Sequence, residues 1–241
     1  MPETDAIFDN VRSAHERSSA DPECLRISLD TKAKVKIGDF SRGGSVRSAE
    51  PVKALDHDMS PEAVLVPAGI LEVDTNQLSI VFGTSRGTSD FMADCLDLWW
   101  SKRSGANAKI GRLQIDLDNG PEIASSRTQF MKRMVEFSDR TGLEVELVYY
   151  PPYHSKYNLI ERCWGILEQH WNGALLSTIE TALSWAATMT WKGVRPLIHL
   201  LDDVYERGVK LTEIEFRPFA ERLLRSEKLP KWSLTTKSKT G

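Results

Sequence analysis

Apolar and polar residues alternate strictly along Cys24-Leu25-Arg26-Ile27-Ser28-Leu29-Asp30, which puts Leu25, Ile27 and Leu29 on one face of a strand and Arg26, Ser28 and Asp30 on the other. Ala33 to Phe40 alternates again and predicts a hairpin with the first strand, closed off by a loop at Ser41-Arg42-Gly43-Gly44. Ala63 to Val73 is a longer apolar run broken by Pro67 and Gly69, and Gln77 to Gly83 is a further strand. The period then lengthens. Phe91, Met92, Cys95, Leu98 and Trp99 mark a helix over Ser89 to Lys102, with Thr88, Ser89 or Asp90 as its cap. Arg112 to Asp118 alternates strictly, so Asp116 and Asp118 share a face, and Asp118 ends the strand before the turn at Asn119-Gly120-Pro121. A second helix spans Ser126 to Arg140 with Gly142 as its stop, and Glu144 to Val148 is again a strand.

Two prolines, Pro151 and Pro152, stop that strand because proline has no N–H to offer a ladder. Asn158 is suited to cap the next helix, whose apolar residues Ile160, Cys163, Trp164, Leu167 and Trp171 recur at helical spacing. Glu161 lies beside that stripe and admits two readings. In one it closes a capping box with Asn158; in the other it is a carboxylate at the mouth of a sheet, free for metal binding or acid–base work. Beyond Trp171 the pattern predicts helices at Thr178 to Trp191, Pro196 to Glu206 and Glu215 to Arg225, then a loose basic tail from Leu229. Antiparallel strands first, then helix, strand, helix, strand, helix, is the ribonuclease H-like arrangement, an α/β fold with a mixed sheet flanked by helices. The expected division is a polar lead-in at 1–20, frayed or weakly helical, a ribonuclease H-like catalytic domain at 21–192, a helical C-terminal extension at 193–228 and a flexible tail at 229–241.

Composition narrows the setting. Of 241 residues, 41% are hydrophobic and 27% charged, as in ordinary globular proteins. Neither a secretory signal nor a membrane span is visible, and three scattered cysteines make no disulfide framework, so a cytoplasmic, reducing home is expected. A net charge of -3 does not advertise a nucleic-acid binder. The charge is unevenly spread, however: Lys32, Lys34, Lys36, Arg42 and Arg47 crowd one region around Asp39 alone, and Arg225, Lys228, Lys231, Lys237 and Lys239 surround Glu227 in the tail, where a solvated face is the plain reading.

A central first strand would carry Asp30 toward the end of the parallel strand where Asp118 stands, and the helix after the last strand would bring Glu161 to the same rim. Three such carboxylates repel one another and shift each other's pKa, which makes a cation their natural partner. Hard oxygen ligands favour Mg2+ or Mn2+ over zinc, and a pair of ions would stabilise attacking and leaving oxygens in phosphoryl transfer.

Ser28-Leu29-Asp30-Thr31-Lys32, Asp56-His57-Asp58, Leu117-Asp118-Asn119-Gly120 and above all Tyr150-Pro151-Pro152-Tyr153-His154-Ser155-Lys156-Tyr157-Asn158, followed by Ile160-Glu161-Arg162 and Trp164, resemble the Rhodopirellula-type DDE transposases of bacterial insertion sequences. These are distantly similar to mariner-type enzymes. The resemblance covers roughly Asp30 to Trp191. It implies a ribonuclease H-like fold, a metal-binding triad of Asp30, Asp118 and Glu161, and cutting and joining of DNA strands at the element's ends and at a target, with a homodimer as the candidate assembly on DNA. Two departures stand out: Leu159 occupies the place where the family has proline, and only 29 residues precede Asp30 where the family carries a helix-turn-helix region, so the chain reads as truncated.

Other candidates carry blander alternatives. Asp116 is the runner-up second ligand. Lys32, Lys34, Lys36 and Arg42 are expected to hold DNA backbone, as are His154 and Lys156, for which a polar loop is an equal reading. His57 fits a surface turn, Glu122 the turn it sits in, and Ser125 to Thr128 a helix start with no base nearby to activate a serine. Trp99, Trp100, Trp164, Trp171, Trp185 and Trp191 would pack the core before stacking on bases. Against the transposase stand an inactive remnant that keeps DNA binding or oligomerisation, and a ribonuclease H-like nuclease acting on other nucleic acids.

Overall fold

The computed structural model describes residues 2–44, 53–55, 60–103 and 109–236. Arg47, Asp56, His57, Asp58, Lys237 and Lys239 lie outside the described residues. In chain order come α1 (Pro2–Ala20), β1 (Cys24–Thr31), β2 (Val35–Ile37), β3 (Ala63–Glu72), β4 (Leu78–Gly83), α2 (Ser89–Lys102), β5 (Arg112–Leu117), α3 (Thr128–Thr141) and β6 (Glu144–Tyr149). A 3-10 turn at Ser155–Tyr157 leads into α4 (Ile160–Trp171), followed by α5 (Ile179–Thr188), β7 (Leu197–Leu201), α6 (Glu213–Ala220), β8 (Leu223–Arg225) and β9 (Ser233–Thr236). The strands form one mixed sheet in the order β7-β4-β3-β1-β5-β6-β9-β8, with β2 also on β3.

β1 is central, as the alternation predicts. It runs antiparallel to β3 and parallel to β5, and β5 runs parallel to β6. Leu25, Ile27 and Leu29 join Leu113, Ile115, Leu117, Val145 and Leu147 in a fully apolar layer with Phe91, Phe130, Met134 and Phe137 of α2 and α3. Ser28 and Asp116 are register partners and so share the opposite face. That face is covered by α1 and α4, since His15 meets Asp116 and Ile160 meets Ser28. A second apolar cluster joins Leu65, Ile80 and Phe82 to Ile160, Trp164, Leu167 and Trp171.

Several segments differ from expectation. The lead-in expected at 1–20 is, over Pro2–Ala20, the helix α1, with Ile7, Val11 and Ala14 buried at helical spacing and Phe8 packed partly against the core. β1 and β2 make no hairpin, because β1 pairs with Glu72 to Ala68 of β3 and β2 with Leu65 to Ala63, end to end along one strand. Pro196 to Glu206 is not helical: Leu197–Leu201 is an edge strand parallel to β4, one of the short apolar runs that periodicity cannot assign. The segment expected as a helix from Glu215 to Arg225 ends at Ala220 and turns into β8. The tail is not loose from Leu229, for β9 pairs with β6 and β8 and buries Trp232 and Leu234. Among the described residues, no helix is long and apolar enough to cross a membrane.

Candidate active site

Asp30 stands next to last in β1, and the register that sets Leu29 beside Leu117 sets Asp30 beside Asp118, one residue past the end of β5. Parallel strands lie about 4.8 Å apart, so the sheet alone makes these carboxylates neighbours. Glu161 arrives from the first turn of α4. All three line one cavity of about 540 Å³, together with Lys32, Lys34, Glu122 and Arg207.

The position of α4 is fixed by a buried polar knot. Ser28 donates its hydroxyl proton to the Asn158 side-chain oxygen and accepts the N–H of Ile160 at 2.9 Å, while Asn158 Nδ2 donates to the Leu29 carbonyl at 3.1 Å. Asn158 is therefore not the cap of α4. Its side chain is spent on β1, and the capping position falls to Leu159, which offers no side-chain bond. No capping box forms at α4, so that reading of Glu161 is set aside and the carboxylate faces the cavity. Leu159 has φ -61, the value proline would fix, so the departure from the family pattern leaves the turn intact.

Asp30 is 6% exposed, and its Oδ2 accepts one hydrogen bond, from Trp164 Nε1 at 3.3 Å. Burial first, then the negative charges of Asp118 and Glu161, push its carboxyl up to about 8. Asp118 is also raised, by burial and by Glu161, against the opposing pull of the Gly120 N–H 3.2 Å from Oδ1. The charged groups acting on both are carboxylates rather than cations. Among the described residues, no group of three His, Cys, Asp or Glu side chains stands so that it could hold a metal ion. In kind, the three acids supply the oxygen donors that a hard divalent cation takes, on one cavity whose burial and negative charge raise two of the carboxyls above their ordinary range.

The remaining candidates separate. Lys32 and Lys34 line the cavity, and Lys32 is paired with Glu168. Lys36 and Arg42 do not line it; the Arg42 guanidinium sits 5.8 Å from the Trp171 ring and donates to the Lys36 carbonyl. His154 packs edge-on to Phe8 at 5.3 Å, and Lys156 lies over the Tyr157 ring at 5.3 Å, both on the neighbouring loop. Asp116 is 1% exposed and engaged by His15 Nε2 at 2.9 Å and Gln114 Nε2 at 2.8 Å, outside the cavity. Trp99, Trp164, Trp171 and Trp191 are buried, whereas Trp185 is exposed on α5. Two cavity residues escaped the sequence reading. Glu122 looked like an ordinary turn residue, and Arg207 sits in a loop that the pattern assigned next to a helix, with no signal of its own.

A mixed sheet with this strand order, flanked by helices and carrying three acids at the ends of two central parallel strands and the helix beyond, defines a ribonuclease H-like domain. The profile of the Rhodopirellula transposase DDE domain matches residues 1–238, and the chain belongs to that family. Its fold is similar to that in the Mos1 transposase paired-end complex with left transposon end, at TM-score 0.50 and 9% identity over 75% of this chain and 51% of that one. A weaker likeness, at TM-score 0.40 and 14% identity, links 67% of it to 45% of a chain in the simian T-cell lymphotropic virus intasome in complex with PP2A regulatory subunit B56 gamma. The chain thus aligns with about half the length of each of these solved structures. No curated protein sequence matches it.

Proposed function

We propose that this chain is the catalytic domain of a metal-dependent DDE transposase, which cuts DNA strands at the ends of an insertion sequence and joins them to target DNA. The observation that carries this reading is the convergence of Asp30, Asp118 and Glu161 on one cavity, with Asp30 buried and its carboxyl raised to about 8. Family membership supplies the reaction class, and the carboxylates supply the chemistry.

Asp30, Asp118 and Glu161 would hold one or two divalent ions, Mg2+ or Mn2+, which when bound supply positive charge against a phosphoryl group and acidify a ligated water. The protein's own share is placement. Trp164 fixes one oxygen of Asp30, the Gly120 N–H fixes one of Asp118, and the Ser28–Asn158 knot fixes the helix carrying Glu161. Holding the donors on a strand, a strand end and an anchored helix spares the site reorganisation when a phosphodiester enters. Lys34 stands at the cavity wall to receive DNA backbone.

The test is Mg2+-dependent nicking of DNA that carries the element's ends. Asp118→Asn and Glu161→Gln should abolish nicking while leaving far-UV circular dichroism unchanged. Wild-type levels of nicking in both variants would remove the mechanism, and calorimetric titration with Mn2+ would separately show whether each variant has lost ion binding.

A further inference from the structure

Arg207 is a basic residue of the cavity wall that no sequence motif marks. It lies in the loop between β7 and α6, a loop held at both ends. On one side Tyr205, 5% exposed, donates its hydroxyl to Asp94 Oδ2 of α2 at 2.9 Å and sets its ring edge-on against Phe91 at 5.5 Å. The Tyr205 N–H donates to Ser85 Oγ at 3.2 Å, and Ser85 in turn donates to the Asp203 carbonyl at 2.9 Å. On the other side the Leu211 N–H donates to Thr128 Oγ1 at the start of α3, at 2.9 Å. Between these pins the chain turns at Arg207 and Gly208, the latter at φ +74. The turn brings Arg207 to the wall of the carboxylate cavity.

Nothing in the fold explains why a cation is delivered there. Among the described residues Arg207 makes no hydrogen bond or ion pair, and it is not among the charges acting on Asp30 or Asp118, so it is no counter-ion to the acids. Of the cations lining the cavity, Lys32 is occupied by Glu168. The loop carries Asp202, Asp203 and Glu206 against Arg207 and Lys210, and of these five charged residues Arg207 is the one that lines the cavity. A planar guanidinium carried on a pinned loop beside a cluster of carboxylates matches a phosphate oxygen pair.

We infer that Arg207 binds a backbone phosphate of the DNA strand lying in the cavity, one beside the phosphate presented to Asp30, Asp118 and Glu161, and that Tyr205 is the positioning residue for this contact. This rests on the transposase reading and adds to it a strand-gripping residue from the C-terminal part of the chain.

The experiment measures binding of a fluorescein-labelled duplex of mixed sequence to the full chain by anisotropy across a KCl series, in Mg2+ buffer. Arg207→Gln should weaken binding about tenfold at low salt and flatten the slope of log K against log salt by about 1, the signature of one lost phosphate contact. Arg207→Lys should recover the slope but only part of the affinity. Tyr205→Phe, which frees the loop from Asp94 and keeps Arg207, should weaken binding with the slope little changed. Arg217→Gln removes an exposed charge on α6 away from the cavity and controls for net charge. An unaltered slope in Arg207→Gln, or an equal change in Arg217→Gln, overturns the inference while leaving the transposase reading untouched. A wild-type chain that binds no DNA overturns both. A wild type that binds but does not nick defeats the catalytic reading alone, because the slopes still decide the role of Arg207.

Discussion

The Ser28 hydroxyl and the Asn158 amide form one buried unit that ties the strand bearing Asp30 to the helix bearing Glu161, although 130 positions separate them in the chain. Each partner does two jobs: Ser28 also takes the Ile160 N–H, and Asn158 also gives to the Leu29 carbonyl. Both residues are fully buried, so truncating either leaves a polar group of the other, the Ser28 hydroxyl proton or the Asn158 side-chain oxygen, without water or partner. Asn158→Ala should cost about 2–3 kcal/mol, on the order of the penalty for orphaned buried groups. Ser28→Ala should cost a similar amount. The double variant should lose clearly less than the sum, with a coupling of about 1 kcal/mol or more. Urea denaturation of the four proteins measures this, and additive losses would show the two residues acting independently.

Gly69 lies opposite Asp30 in the β1–β3 pairing, and the Trp164 ring fills the space its missing side chain leaves. A Cβ there would stand 2.6 Å from Trp164 Cη2 and 2.8 Å from Ile160 Cδ1, closer than carbon atoms tolerate. Gly69→Ala should therefore destabilise by about 1–3 kcal/mol through overpacking. Trp164→Phe removes the clashing ring atoms, so Gly69→Ala should cost less in that background than in the wild type. A thermal melt of the four combinations checks the sign; an equal cost in both backgrounds would mean that the indole is not what the alanine meets.

How far the sequence could be read follows from what each element needed. β1 and β5 show in strict alternation because one face packs against α2 and α3 while the other carries Ser28, Asp30 and Asp116. Asp30 and Asp118 were legible for the same reason, as acids at the ends of such strands. α1 was hidden because its apolar residues, chiefly Ile7, Phe8, Val11 and Ala14, are few in a polar stretch, and its docking is completed by charge pairs, Arg17 with Glu146 and His15 with Asp116, that no periodicity reports. β7 and β9 are edge or near-edge strands of five and four residues, too short for a pattern. Ser28 and Gly69 were silent because their roles lie in what they meet across the fold, and Arg207 because only the course of its loop brings it to the cavity.

Tyr153 is wholly exposed at φ +63, third in a turn closed by the His154 N–H donating to the Pro151 carbonyl at 3.2 Å. With Pro152 second, this is the turn in which glycine ordinarily stands third. A non-glycine residue there carries about 1–2 kcal/mol of backbone strain, while glycine adds about 0.4–1 kcal/mol of unfolded-state entropy. Tyr153→Gly should thus be about 0.5–1 kcal/mol more stable than Tyr153→Ala, the pair compared because neither keeps the ring. Denaturant midpoints of the two variants decide it. An alanine variant as stable as the glycine one would show that the loop relaxes out of the left-handed region.

The raised carboxyls of Asp30 and Asp118 set the sign of a pH dependence. Asp30 titrates at about 8 in the folded chain against 3.8 for an ordinary aspartate, so between these values the folded protein holds a proton that the unfolded one has released. Stability from this group is fully present below about pH 4 and is lost as pH rises toward 8, with a slope approaching about 1.4 kcal/mol per unit; Asp118, also raised, acts in the same direction. In chelator, wild type should therefore lose stability relative to Asp30→Asn between about pH 5 and pH 8. Adding Mg2+ at the upper end should raise the wild-type melting temperature and move Asp30→Asn much less, since the cation then neutralises the charge the proton had been masking. Parallel stability curves for the two proteins, or equal Mg2+ shifts, would show that Asp30 is neither strained by its neighbours nor a ligand.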